Sequence, residues 1–249
     1  MLTPYRYIPI LSETYRSLRR IFATYWYAGS AVVCPVCERT FSKWKKNDQS
    51  CPYCHSGTRH KALILYLKSY LGKCRGQIET LLFAPDFGVE GWLRKHSQIK
   101  LTTADYSAPK VDHHWDITDI PVDNDSFDLI LCSHVMEHVV NDARAYVELH
   151  RTLRTGGLLV LQVPYQRNAP HTDEDFSITD PKEREARFGQ FDHVRIYGKD
   201  LLDRLEAAGF ECDVRTAQEL FGPEAIKNYG MWNDVIFLCK SDVSVHRLD

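Results

Sequence analysis

The chain has 249 residues, 44% of them hydrophobic and 26% charged, with a formal net charge of -2. This composition supports a sizeable core and excludes a largely disordered chain. The near-neutral balance excludes a strongly basic protein built to coat nucleic acid, although it leaves room for a local basic face.

The stretch MLTPYRYIPILSETYRSLRR lacks the charged start, apolar core and small-residue cleavage site of a secretion signal. No apolar run approaches the roughly 18 residues needed to span a bilayer. A cytoplasmic location is therefore expected, and there paired cysteines hold metal more often than they form disulfides. A first helix is expected over Leu11–Tyr27, with Ser12 as its cap and Glu13 in its first turn.

CPVCERTFSKWKKNDQSCPYC then sets Cys34, Cys37, Cys51 and Cys54 in two C-x-x-C pairs. Each pair suits a tight knuckle that offers two thiolates to one ion, and two knuckles close a tetrahedron. A structural Zn²⁺ is expected, with no coordination position left for catalysis. Cys74, Cys132, Cys212 and Cys239 sit among apolar residues and read as buried small hydrophobes. A second helix, Arg59–Gly72, is followed by more basic residues. Arg59, His60, Lys61, Lys68, Lys73 and Arg75 read as a solvated face or as a contact surface for an anionic or phosphorylated substrate.

From Ile78 onward, apolar runs alternate with helical ones. IETLLFAP, IKLTTADY, FDLILCSH and GLLVLQVPY read as strands. GVEGWLRKH and NDARAYVELHRTLRTGG read as helices, the second capped by Asn141 and closed by Gly156-Gly157. GKDLLDRLEAAGF adds a helix, and ECDVRTAQEL and NDVIFLCKS add two strands. Short apolar strands alternating with helices predict an α/β, Rossmann-like doubly wound sheet, with its ligand site at the strands' C-terminal ends. Two domains are expected: residues 1–76, a helical segment holding the ribbon at 34–54, and residues 77–249. The stretch YQRNAPHTDEDFSITDPKEREARFGQ, poor in regular pattern, reads as a long loop that closes over a bound molecule.

The order ADYS, DITDIPVDNDSFDLILCSHVMEH, then LRTGGLLVLQVP resembles the central part of a class I S-adenosylmethionine-dependent methyltransferase. The ribbon in front and FGQFDHVRIYGKDLLDRLEAAGF behind are similar to a bacterial subgroup of those enzymes. The resemblance covers roughly Ile78 to Ser241 and implies a mostly parallel sheet with an antiparallel last strand. It implies S-adenosyl-L-methionine as cofactor. Its site would be formed by the glycine-poor turn Phe83, Ala84, Pro85 and Asp86, by Asp105 for the ribose hydroxyls, and by Tyr106, Asp116, Ile117 and Ser133. An acceptor-only carboxylate such as Asp105 suits a pair of hydroxyl donors.

Methyl transfer asks little covalent chemistry of a protein beyond alignment and removal of the acceptor's proton. His134, at a strand tip, is the first candidate base, and His193, oriented by Asp192, is the second. Arg195 and Tyr165 are candidates for holding the acceptor. His134, Glu137 and His138 together are a candidate second divalent-ion site. The acceptor implied is a small molecule or a sugar or glycan precursor, methylated on oxygen. An RNA methyltransferase that docks its substrate through the ribbon is one alternative. An inactive methyltransferase fold acting as an interaction module is the other.

Overall fold

The computed structural model describes residues 11–45 and 49–241. Residues 1–10, and the side chains of the expected cap Ser12 and its neighbour Glu13, lie outside the described part. In chain order the helices are α1 (Leu11–Trp26), α2 (Thr58–Leu71), α3 (Phe87–Leu93), α4 (Asp142–Thr152), α5 (Pro181–Phe188), α6 (Leu201–Ala207) and α7 (Ala217–Tyr229). The strands are β1 (Val32–Val33), β2 (Thr40–Phe41), β3 (Ile78–Phe83), β4 (Ile99–Ala104) and β5 (Phe127–Ser133), followed by β6 (Leu153–Gln162), β7 (Asp173–Glu174), β8 (Arg195–Ile196), β9 (Phe210–Thr216) and β10 (Val235–Ser241).

The chain divides into two compact units. One holds the described residues up to Gly76 together with Asp86–His96 and Thr216–Asp234; the other holds Gln77–Pro85, Ser97–Arg215 and the described residues from Val235 on. The ribbon's unit therefore takes in α3 and α7 as well as the segment that ends at residue 76.

In the first unit the two cysteine knuckles are built alike. The residue after the second cysteine of each pair, Glu38 or His55, has a left-handed backbone, with φ of 60° and 61°. Its N–H donates to the carbonyl of the pair's first cysteine, at 2.8 Å for Cys34 and 3.1 Å for Cys51. β1 and β2 pair antiparallel beside the first knuckle. Lys61, expected on a basic surface, is instead fully buried. Its ammonium donates to the carbonyls of Tyr229 and Gly230, at 2.9 and 3.2 Å, and to that of Gln49. It also lies 3.4 Å from the Trp44 ring centre. A lysine that satisfies the last carbonyls of α7 relieves the orphan acceptors every helix leaves at its C-terminus.

The remaining elements of this unit show clear end signals. Asp86 caps α3 by accepting from Gly88 N at 2.9 Å. Gly88 has no room for a side chain, since a Cβ there would run into Ser56 Oγ. α7 is an added finding, because its first turn falls inside the run AQEL that reads as strand. Thr216 and Glu219 close a capping box at its start, and Gly222, at φ 78°, kinks it before Pro223.

The second unit contains a six-stranded sheet in the order β4-β3-β5-β6-β10-β9. β3 pairs parallel with β4 and with β5, β5 pairs parallel with β6, and β10 runs antiparallel to β6. This is the expected class of sheet, mostly parallel with an antiparallel last strand. Chain order reverses about β3, which puts a switch point at the C-terminal ends of β3 and β5. Leu81, Ile130, Leu159 and Phe237, from four strands, are all fully buried in the core.

Three local expectations are corrected in this unit. The helix expected to run on to Gly157 stops at Thr152, and Leu153–Gln162 is strand, because Leu153 already pairs with Phe127 of β5. The segment read as a patternless loop contains α5, capped by Asp180, opened by Pro181 and closed by the left-handed Gly189. Cys212 and Cys239, expected as buried small hydrophobes, are joined by a disulfide between neighbouring strands. Among the described residues, no helix is long and apolar enough to cross a membrane.

Candidate functional site

Several residues singled out by sequence follow the C-terminal ends of the parallel strands β3, β4 and β5. At the end of β3 the chain turns through Ala84, whose φ is +47°. Left-handed backbone favours glycine, and another residue there costs about 1 kcal/mol. The turn keeps its shape nonetheless, because Ala84 N–H donates to the Ala104 carbonyl at 2.9 Å. The missing glycines thus leave a glycine-like turn. Phe83 is buried beneath it.

Asp105 follows β4, and its Oδ1 accepts from Ser107 N at 2.7 Å and Ala108 N at 2.6 Å. These bonds set the carboxylate's direction, and a carboxylate has capacity for about four. Tyr106 beside it is 62% exposed. Asp116 is fixed in a similar manner, its Oδ1 accepting from Thr118 N and Oγ1 at 2.8 and 2.7 Å. Ile117 next to it is buried. Ser133, last in β5, donates through Oγ to Gln162 Oε1 at 3.1 Å.

Immediately after β5, His134 has a φ of 55°, and its N–H donates to the Gln162 carbonyl at 2.8 Å. Its ring is 31% exposed, with Nδ1 2.9 Å from Oε1 of the fully buried Glu137. The ring is not aligned to aim a hydrogen at that oxygen, and neither oxygen of Glu137 has a hydrogen-bond partner. Glu137 and His138 lie on a single 3₁₀ turn, Met136–His138. Val194 N–H donates to the Glu137 carbonyl at 2.9 Å, which ties the loop before β8 onto this turn.

That tie brings His193 into the group. Its Nδ1 is 3.0 Å from the Phe188 carbonyl, so it carries the hydrogen, and Nε2 lies 3.9 Å from Glu137 Oε1. Burial pushes the His193 imidazole below its usual value. Asp192, expected to orient His193, faces His138 instead, 3.5 Å from its Nδ1. The His138 and His193 rings meet edge to face at 4.7 Å.

Arg195 is corrected outright. It is fully buried, pairs with Asp142 at 2.9 Å and Glu174 at 3.0 Å, and donates to the Val140 carbonyl at 3.0 Å. Arg204 joins the same two carboxylates at 2.8 and 2.9 Å. A guanidinium so engaged holds the loop down and cannot reach an acceptor. Tyr165 is half-buried, with its ring edge to face with Phe237 at 5.1 Å. Gly198 fixes the loop's far end, where a Cβ would strike the backbone of His171.

The four cysteines form the other cluster, in the first unit. Cys34 and Cys54 sulfurs are 3.7 Å apart and Cys37 and Cys51 sulfurs 3.6 Å apart. Four sulfurs about 2.3 Å from one tetrahedral ion would be roughly 3.8 Å apart, so the cluster has the form of a zinc ribbon.

The sheet order and connections are those of the class I methyltransferase fold, and residues 92–161 match the methyltransferase domain family. The match begins beyond the Ala84 turn. A probable S-adenosylmethionine-dependent methyltransferase of Mycolicibacterium smegmatis is 27% identical over 106 residues. The aligned part is 42% of this chain, and the chain spans 37% of that relative's length. Among solved structures, the [4+2]-cyclase SpnF is similar with a TM-score of 0.55 and 15% identity, over 94% of this chain and 96% of that one. The 1,6-didemethyltoxoflavin-N1-methyltransferase of Burkholderia thailandensis is similar with a TM-score of 0.50 and 14% identity, over 72% of this chain and 76% of that one. These two likenesses establish the fold alone, since one fold hosts many chemistries.

Proposed function

We propose that this chain is an S-adenosylmethionine-dependent methyltransferase that methylates a hydroxyl of a small-molecule or sugar-precursor acceptor. The observation that carries the reading is His134, half-exposed at the tip of β5 with a buried carboxylate 2.9 Å behind its Nδ1. In that arrangement Nε2 takes the acceptor's proton, and the nearby Glu137 carboxylate stabilises the imidazolium by its charge. The cofactor, when bound, supplies an electrophilic methyl group on a sulfonium.

The cofactor is assigned to Phe83, Ala84 and Pro85 of the turn, and to Asp105, Tyr106, Asp116, Ile117 and Ser133. The Asp105 carboxylate, oriented by two backbone donors, fits a pair of ribose hydroxyls. Asp86 already serves α3 through Oδ1. In the ribbon, Cys34, Cys37, Cys51 and Cys54 are assigned a structural Zn²⁺, which the sulfur spacing fits. Docking of RNA through the ribbon is the weaker reading, since Lys61 of the basic helix that follows it is buried and engaged with carbonyls.

Calorimetric titration with S-adenosylmethionine tests the proposal. Wild type should bind at micromolar level, and Asp105→Ala should lose about 10-fold or more, as expected when bonds to a charged acceptor are removed. A folded wild-type chain that does not bind sinks the methyltransferase reading and promotes the interaction module.

A further inference from the structure

We infer that Glu137, His138 and His193 form a site for a divalent transition-metal ion, separate from the four cysteines and without His134 as a ligand. One donor atom from each of the three lies within 4.8 Å of the other two. Small side-chain rotations bring that spacing to the roughly 3–4 Å between donors that sit about 2.1 Å from a shared ion.

Two further observations point to a ligand. Glu137 is fully buried, yet neither of its oxygens accepts a hydrogen bond. A carboxylate is not left in that state without cost, and a bound cation removes the cost. His193, in turn, is held as metal-binding histidines commonly are. Its Nδ1 hydrogen goes to a backbone carbonyl, that of Phe188, and its Nε2 is turned toward Glu137.

Two imidazole nitrogens and one carboxylate oxygen suit zinc, iron, cobalt or nickel better than magnesium or calcium, which take mostly oxygen. Three protein ligands also leave coordination open, in contrast to the closed Cys₄ set. His138 and Asp192 are half-exposed, so the open side has access to solvent. The ion would clamp the loop before β8 to the turn after β5, the two segments that already share the Val194–Glu137 backbone bond.

Cobalt titration of the 249-residue chain, purified and stripped of metal, separates the two sites. Cobalt at four thiolates gives an intense sulfur-to-metal charge-transfer band, whereas cobalt at nitrogen and oxygen gives only weak visible bands. Wild type should take up two equivalents, one of each kind. His138→Ala should weaken the second by about 10–100-fold or more while leaving the charge-transfer band unchanged. His193→Ala should do the same, and His138, being half-exposed, keeps the test valid if the buried His193 variant fails to fold. Uptake of a single, thiolate-bound equivalent by wild type overturns the inference, as does undiminished second-site binding in His138→Ala. Neither readout depends on S-adenosylmethionine binding, so the two readings fail separately.

Discussion

The two donor clusters are assembled in opposite ways. The cysteines come from two knuckles of like geometry within residues 34–54, each shaped by a left-handed residue and a backbone bond to its own first cysteine. The Glu137, His138 and His193 group exists only because β8 and its loop fold back onto the turn after β5. One cluster is a property of a short segment, the other of a tertiary fold. A local spacing can therefore be read from sequence, while a tertiary meeting of residues 138 and 193 cannot.

The largest expected effect breaks the local cluster. Cys51→Ser, or removal of metal with a strong chelator, should unfold the ribbon, because structural zinc contributes about 10 kcal/mol or more in such sites. Zinc content should drop by one equivalent, and protease should cut within the 34–54 segment. A ribbon that stays protected without metal would mean that packing, not the ion, folds it.

The next effect bears on the tertiary cluster. Arg195→Met leaves Asp142 and Glu174 with Arg204 as a remaining partner, and should cost about 3 kcal/mol in denaturant unfolding, the lower end for a broken buried pair. It should also loosen the loop that carries His193 and leave the cysteine cluster intact. An unchanged unfolding midpoint would show that the buried network contributes little.

The smallest effect concerns pH. Burial holds the His150 imidazole below its usual value of 6.5, and its Nε2 lies 3.2 Å from Ser241 Oγ. The unfolded chain therefore binds this proton at higher pH than the folded one. The contribution is fully present above 6.5 and is lost as pH falls from 6.5 toward the lowered folded value. Thermal scans from pH 7 to 5 should show a modest fall in Tm that His150→Gln flattens; an equal fall in that variant would assign it to other groups.

The alternating sheet, the Asn141 cap and the cysteine spacing were legible because each rests on a short-range rule. Asn141 does cap α4, accepting from Arg144 N at 3.1 Å. α5 was equally readable, with Asp180, Pro181 and Gly189 in the order that starts and stops a helix. Thr216 with Glu219 likewise announced α7. Arg195 and Lys61 were misread for a physical reason: a charged side chain looks solvent-bound in sequence, and only the fold shows that carboxylates or helix-end carbonyls surround it. The Cys212–Cys239 disulfide was hidden in the same way, since only the strand order makes those two residues neighbours.

Interleaving of the first unit has a practical consequence for anyone dissecting this protein. Its residues come from three stretches of chain, and α2 contacts both α3 and α7 within it. Cutting after Gly76 would yield neither a free ribbon nor a free sheet. It would strip Gly88 of the Ser56 surface it fits and leave the last carbonyls of α7 without Lys61. The ribbon's unit should accordingly be expressed with all three of its chain stretches present.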